Sequence, residues 1–202
     1  MRTELIERYD LRVPRYTSYP TAPHFGPSVD GQRYRSWLSA LDPATPLSLY
    51  LHIAYCAQMC FFCGCHTKAT KKYEPVADYL EALAEEIGLV AEALPAHMRA
   101  AHIHFVCGSP TILTPRDFTR AVNWVGATFK IGKGAEIAVE LDPRTTSLDF
   151  VEAMAAAGVT RASIGVQDFN RHVQQAIGRV QSPQLTARVI GWLRGNGIDA
   201  IN

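Results

Sequence analysis

The sequence predicts an α/β fold built around a parallel sheet, and two observations carry this prediction. From residue 47 onward, short apolar segments with the composition of buried strands alternate with longer segments whose apolar residues recur at a helical period. Polar residues follow the apolar segments, at the positions where parallel strands present functional side chains. Repeated strand–helix units form parallel sheets with right-handed crossovers. The pattern by itself fits both an open doubly wound sheet and a barrel.

The first unit begins with a predicted strand at residues 47–53, which leads into a cysteine-rich loop and then into a long helix. Pro75 suits the first turn of this helix, because the backbone N–H that proline lacks would have no partner there. Apolar residues follow at three- and four-residue intervals, which is typical of a helix packed on a sheet. They are Val76, Leu80, Leu83, Ile87, Val90 and Leu94.

Three more strands are predicted at residues 102–106, 136–141 and 161–166, and a helix follows each of them. A short helix is also expected near residues 170–177. Gly158 suits the left-handed position just after a helix. The longer helices should begin after side chains that accept hydrogen bonds from the free N–H groups of a first turn. These capping residues are Thr114, Ser147 and Ser182, and the last helix should end at Gly195.

The two ends of the chain differ from this regular pattern. Residues 1–46 hold six of the twelve prolines, so we expect an extended N-terminal arm with one short helix near residues 32–41. Residues 47–202 form the sheet domain. A fifth strand begins at residues 198–202, where the sequence stops. A strand left there would expose unpaired backbone groups, so we infer that the chain is a fragment of a larger protein.

Composition excludes several classes of partner. The 20 basic and 19 acidic residues give a net charge of +1, which predicts neither a nucleic-acid partner nor a membrane partner. The first eight residues lack the apolar core of a signal peptide, and no apolar run reaches membrane-spanning length. We therefore expect a monomer in a reducing cytoplasm, where clustered cysteines indicate metal or redox chemistry rather than disulfides.

Four of the five cysteines fall within ten residues, directly after the first strand. Cys56, Cys60 and Cys63 have the spacing C-x3-C-x2-C, which suits three ligands of a four-iron cluster. The fourth iron then stays open for another ligand, such as an amine with a carboxylate. Phe61 and Phe62 are expected to shield the cluster from water.

Other interpretations of the cysteines remain open. Zinc bound by Cys56, Cys60, Cys63 and either Cys65 or His66 is one, although two separated C-x2-C pairs are missing. Reduced buried cysteines are another, and a disulfide is the least expected.

Candidate residues at the other strand ends each have a functional and a structural interpretation. Cys107 is most simply a small buried residue, and the turn at Gly108 and Ser109 offers backbone N–H groups to a ligand. Glu140 either contacts a ligand or pairs locally. Gln167 and Asp168 also have a functional and a structural interpretation, and the structural one for Asp168 is a helix cap. We expect His52 and His66 to be packing or supporting residues, and His102 and His104 to form the less apolar face of their strand.

Four segments together resemble the radical SAM enzymes and, within them, the oxygen-independent coproporphyrinogen III oxidase family. The resemblance covers essentially the whole chain, and the added Cys65 and the tyrosine-rich arm make it specific. The segments are the arm at residues 14–22, the strand and cysteine loop at 48–65, Ala-Val-Glu-Leu-Asp-Pro at 138–143 and Gly-Val-Gln-Asp-Phe-Asn at 165–170.

The resemblance implies a partial (β/α)6 TIM-like barrel, truncated in strand five, with an N-terminal arm. It implies a [4Fe–4S] cluster on Cys56, Cys60 and Cys63, with two S-adenosylmethionine molecules. Tyr50 and Glu140 would contact the molecule that chelates the open iron. The second would lie near Phe62, Gly108, Ser109, Gln167 and Arg179, with Cys107 in the same turn.

The resemblance also implies an activity. A radical derived from S-adenosylmethionine would remove hydrogen from a substrate propionate, and loss of carbon dioxide would leave a vinyl group. Coproporphyrinogen III, a small tetrapyrrole, would become protoporphyrinogen IX in haem synthesis, with an electron donor that the sequence does not identify.

The chain departs from the family pattern at the turn after its second strand. Val106 and Cys107 replace two glycines of a Gly-Gly-Gly-Thr-Pro motif, where a β-carbon would clash or shift the backbone. Ala54 replaces a proline, and an aspartate of the family lies beyond Asn202. We therefore expect little turnover from this chain alone. The alternative is a non-catalytic relative that binds an iron–sulfur cluster or haem.

Overall fold

The computed structural model describes residues 4, 8 and 21–202. Within residues 21–202, five parallel strands form a sheet in the order β1-β4-β5-β6-β7, and β2 and β3 form a separate two-stranded ribbon. The strands are β1 (Leu47–His52), β2 (Tyr55–Cys56), β3 (Lys68–Ala69), β4 (Arg99–Val106), β5 (Lys130–Leu141), β6 (Arg161–Ile164) and β7 (Ala200–Ile201). The α-helices are α1 (Gly31–Ser39), α2 (Glu74–Ala93), α3 (Pro115–Thr128), α4 (Leu148–Ala156), α5 (Arg171–Ala176) and α6 (Pro183–Gly195).

The strand order distinguishes a barrel from a doubly wound sheet. The five strands of the main sheet follow one another in sequence order without a reversal, whereas a doubly wound sheet has a switch point. Helices α2, α3, α4 and α6 pack side by side against one face of the sheet. A parallel sheet whose strands follow sequence order, with a single layer of helices, is the wall of a partial (β/α) barrel, as the family resemblance implies.

Alternation along the strands determines which face of the sheet is buried. In β4, Ile103 and Phe105 are buried against the helices, while His102 and His104 lie on the opposite face. The apolar core between sheet and helices continues through Phe118 of α3. The opposite face, which we call the open face, carries the polar residues of the strands.

The predicted helix boundaries are confirmed because capping depends on local sequence. Thr114, Ser147 and Ser182 each accept a hydrogen bond from a backbone N–H in the first turn of α3, α4 and α6. Gly158 follows α4 with a φ of +83°, and Gly195 is the last residue of α6.

Some boundaries differ from the predictions. Strands β4 and β5 begin earlier than predicted, because Arg99 pairs with Lys130 in a polar stretch that alternation does not reveal. Strand β6 ends at Ile164, ahead of a turn in which Gln167 has a φ of +68°. Asn170, and not Asp168, caps α5, because the Asn170 side chain accepts from the N–H groups of its first turn.

Of the predicted arm, residues 21–46 are described and include the expected short helix, α1, which packs against α2. The arm motif at residues 14–20 lies outside the described residues. Within residues 21–202, no helix is both long and apolar enough to cross a bilayer.

Candidate cluster and cofactor site

A cavity of about 130 Å³ lies at the carboxyl ends of the strands and collects most of the predicted site residues. It is bounded by the segments that follow β1, β4, β5 and β6, which a parallel sheet brings to one edge. Ten of the eleven predicted residues line it: Cys56, Cys60, Cys63, Phe62, Cys107, Gly108, Ser109, Glu140, Gln167 and Arg179.

Tyr50 is the predicted residue that does not line the cavity. It lies on the open face of β1, and its hydroxyl is 2.7 Å from the Cys107 sulfur and 3.3 Å from Nδ1 of His52. Partial burial and the neighbouring Cys107 thiol raise the pKa of Tyr50, so its hydroxyl stays protonated at neutral pH. Tyr50 therefore reaches the site through Cys107.

Short backbone pairings hold the cysteine loop in place. The ribbon of β2 and β3 closes the base of the loop by pairing Tyr55 with Lys68 and Cys56 with Ala69. At the tip, the Phe61 N–H donates to the carbonyl of Ile177 at 2.9 Å, which fixes the loop against the end of α5. The loop is therefore anchored at both ends.

The two loop phenylalanines have different positions. Phe62 lines the cavity, as expected of a residue that shields a cluster. Phe61 does not line it, and its exposed ring lies beside Gly178 instead. The prediction that both rings shield the cluster is therefore wrong for Phe61, because the loop tip turns its side chain outward.

The thiols are spread through the cavity and are not gathered around one point. Burial raises the pKa of Cys56, and burial together with the nearby Cys107 raises the pKa of Cys65 to about 12. In the described part of the chain, no three thiols lie within 4.8 Å of one another. Zn–S bonds near 2.3 Å would hold four sulfurs roughly 3.8 Å apart. The zinc interpretation therefore requires the thiols to move together, and metal analysis tests it.

Two arginines and an aspartate surround Cys60. Arg144 and Arg179 each place a guanidinium nitrogen 3.4 Å from the Cys60 sulfur, and both form ion pairs with Asp142, at 2.7 and 3.3 Å. The Asp142 carboxylate raises the pKa of Arg144. Sequence reasoning did not single out Arg144, although a charged residue just past the end of a parallel strand was the available signal.

The turn after β4 is tight, and two of its backbone N–H groups are already used. The Cys107 N–H donates to Oε2 of Glu140 at 3.1 Å, and the Ser109 N–H donates to the Tyr55 carbonyl at 2.8 Å. The expectation that the Ser109 N–H faces a ligand is therefore wrong, and the same expectation for the Gly108 N–H stays a prediction. Glu140 pairs locally and also lines the cavity, so its predicted cofactor contact stays a prediction.

The turn also accommodates the two departures from the family motif. Val106 is the last residue of β4, and Cys107 adopts a φ of +61°, a region that L-residues seldom occupy. The position with backbone atoms closest to it is 108, where the chain retains the third glycine of the motif. A β-carbon there would lie 2.1 Å from the Ile53 carbonyl oxygen.

Two curated proteins of high similarity carry the same name. The oxygen-independent coproporphyrinogen III oxidase of Bradyrhizobium diazoefficiens is 48% identical over 203 residues, covering 100% of this chain and 45% of the relative. The enzyme of the same name from Paracoccus denitrificans is 40% identical over 199 residues, with 98% and 44% covered. The chain therefore spans less than half the length of these curated relatives.

A solved structure and a family model agree with these relatives. Coproporphyrinogen III oxidase from Escherichia coli, described as a radical SAM enzyme, superposes with a TM-score of 0.86 and 34% identity over 98% of this chain and 44% of that one. The model of the radical SAM superfamily matches residues 50–202, which include the cysteine loop and every strand after β1. This chain therefore belongs to the radical SAM superfamily.

Proposed function

We propose that this chain is the cofactor-binding part of an oxygen-independent coproporphyrinogen III oxidase. The reaction would convert propionates of coproporphyrinogen III to vinyl groups by oxidative decarboxylation, giving protoporphyrinogen IX in haem synthesis. The observation that carries the proposal is one cavity in which three spaced thiols meet polar residues from four strand ends. The shared name of the similar proteins supports the choice of substrate.

Membership of the superfamily implies a [4Fe–4S] cluster and S-adenosylmethionine, and the donor set suits the cluster. Cys56, Cys60 and Cys63 supply three thiolates, the ligand type that iron–sulfur clusters require. Arg144 and Arg179 offset the negative charge of a thiolate cluster from beside Cys60. When bound, the two cofactors supply the one-electron chemistry that removes a hydrogen atom from the substrate.

We assign the remaining predicted site residues to two S-adenosylmethionine molecules. Tyr50 and Glu140 would contact the first, whose cationic amine and sulfonium suit the Glu140 carboxylate. Arg179 would pair with the carboxylate of the second, and its buried guanidinium is already oriented by the Gly165 carbonyl at 2.6 Å. The other residues of the second site would be Phe62, Cys107, Gly108, Ser109 and Gln167.

We further propose that the protein acts as a monomer in the cytoplasm, with a small tetrapyrrole as its substrate and without a nucleic-acid or membrane partner. The near-zero net charge supports the absence of a nucleic-acid or membrane partner. The electron donor is not assigned.

A second candidate function rests on the turn after β4. The Cys107 side chain occupies the cavity and contacts Tyr50, so it takes space beside a residue proposed to bind the first S-adenosylmethionine. A relative that binds an iron–sulfur cluster or haem without cleaving S-adenosylmethionine would tolerate such a side chain.

The cluster is tested by anaerobic reconstitution of the 202-residue chain with iron and sulfide. We expect four irons per chain, and we expect Cys56→Ser, Cys60→Ser and Cys63→Ser each to lose the cluster. Cys65→Ser is the matched control from the same loop and should keep it. Iron content and electron paramagnetic resonance measure the outcome. Stoichiometric zinc without iron or sulfide, or retention of the cluster in all three variants, would contradict the assignment.

The chemistry is tested on the reconstituted chain with a reductant, S-adenosylmethionine and coproporphyrinogen III. Formation of 5′-deoxyadenosine supports the enzyme and excludes the non-catalytic relative. A full cluster with no 5′-deoxyadenosine favours the second candidate. Decarboxylated tetrapyrrole products, followed by mass spectrometry, test the substrate separately.

A further inference from the structure

Outside the cofactor cavity, three metal-binding side chains lie together on the open face of the sheet. They are His102 and His104 of β4 and Glu136 of β5. One ligand atom from each lies within 4.8 Å of the others, and residues 21–202 contain no other group of three that meets this criterion. None of the three lines the cavity at the strand ends.

Strand geometry explains why these residues meet. His102 and His104 are two residues apart on β4, so their side chains project from the same face. Glu136 pairs with His102 in the parallel register of β4 and β5, which brings its carboxylate beside the imidazoles. The two rings are nearly parallel, with centroids 6.2 Å apart. The backbone therefore brings the three groups together without a ligand.

The donor set has a definite chemical preference. Imidazole nitrogen suits zinc, copper, iron and nickel, and two histidines with one carboxylate leave coordination positions open for water. We propose that His102, His104 and Glu136 bind a divalent transition-metal ion, with Zn²⁺ as the representative case. The proposal stands on this geometry alone and does not rest on the proposed function.

The surroundings determine how well the ion is held. Arg161 donates from Nε to Oε2 of Glu136 at 2.8 Å, which fixes the carboxylate in the way that an outer partner orients a metal ligand. The other oxygen, Oε1, makes no hydrogen bond within the described residues. The positive charge of Arg161 opposes a cation, so we expect a weaker site than a closed structural zinc site.

Position and access separate this site from the cofactor cavity. Glu136 is four residues before Glu140 on β5, which corresponds to about 13 Å along a strand. Within residues 21–202, His102 is exposed and the other two ligands are half-buried, so an ion can reach them from solvent in this 202-residue chain. A bound ion would link β4 to β5 and stabilise the folded chain by an amount that rises with the logarithm of the free zinc concentration above the dissociation constant.

The test measures zinc retained after equilibrium dialysis of the chain at pH 7.5, with Cys56, Cys60 and Cys63 already occupied by the reconstituted cluster. We expect one zinc per chain, and about a tenfold or greater loss of affinity in His104→Ala and in Glu136→Gln. His172→Ala, an exposed histidine of α5, is the matched control and should bind like the parent chain.

A second form of the experiment makes the result independent of the cluster. The same dialysis is repeated after alkylation of all five thiols, with folding of each protein checked by circular dichroism. The site is supported if zinc raises the melting temperature of the parent chain and of His172→Ala. Folded His104→Ala should show no such rise. Absence of bound zinc in the alkylated parent chain, or equal binding by all variants, overturns it.

Discussion

At the scale of single residues, the candidate site depends on a turn with little free space. Cys107 and Gly108 both have positive φ, at +61° and +31°. A β-carbon at Gly108 would meet the backbone of Ile53 and Tyr55, which belong to the start of the cysteine loop. This close approach fixes the cysteine loop against the end of β4.

We predict that Gly108→Ala destabilises the fold by about 2 kcal/mol or more, because the clash is with backbone and the φ is unfavourable for an L-residue. Urea denaturation measures the change. Gly88→Ala is the matched control, because a β-carbon on that helical glycine meets nothing within 4 Å and should stabilise the chain by about 0.5–1 kcal/mol. Equal stability of the two variants would contradict the argument.

At the scale of elements, the start of α3 shows how local capping and tertiary contact combine. Asp117 lies in the first turn of α3 and accepts hydrogen bonds from Thr114, Tyr73 and Arg120. Burial alone would raise the pKa of Asp117, but these three hydrogen bonds outweigh burial and lower it. Since Tyr73 directly precedes α2, the carboxylate joins the starts of two helices.

We predict that Asp117→Asn lowers the free energy of unfolding by about 1–2 kcal/mol at pH 7, since hydrogen bonds to a charged group are lost. The folded pKa lies below the unfolded value of about 3.9, so the contribution is present above that value. It is lost as the pH falls through the folded pKa.

The measurement is urea denaturation of the parent chain and of Asp117→Asn at pH 7 and near pH 3. The difference between them should shrink at the lower pH. Asp149→Asn changes an exposed carboxylate in the first turn of α4 and should have a smaller effect at pH 7. A difference for Asp117→Asn that grows on acidification would refute the assignment.

At the scale of the whole molecule, parallel strands bring distant segments to one edge. Cys60 follows β1, Arg144 follows β5 and Arg179 follows α5, yet both guanidinium groups lie 3.4 Å from the Cys60 sulfur. Positive charge beside a thiolate cluster favours the reduced, more negative state. The convergence of the strand ends therefore acts on the electrostatics of the bound cluster.

We predict that Arg179→Gln makes the reduction potential of the reconstituted cluster more negative. Arg171→Gln, an exposed change on α5, should leave the potential unchanged. A redox titration followed by electron paramagnetic resonance measures both, with iron content confirming equal loading. A potential that stays the same or rises in Arg179→Gln would show that the two arginines only hold Asp142.

Local patterns explain which parts of the fold were predictable. The three caps, Gly158 and the apolar periodicity depend on neighbouring residues, so they placed the helices correctly. The cap interpretation of Asp168 was wrong because Asn170 caps the helix two residues later. The polar starts of β4 and β5 were missed because cross-strand hydrogen bonds, and not alternation, extend them.

The sequence by itself determined the cysteine loop, the strand–helix repeat and the superfamily, because these are written in the spacing and order of residues along the chain. Only the tertiary structure decided three further points. They are the order of strands in the main sheet, the position of two arginines beside Cys60, and the histidine–carboxylate group on the open face. Each depends on strand register and on which ends converge. Those relations are fixed when the apolar face of the sheet packs against its helices, which no local segment of sequence specifies alone.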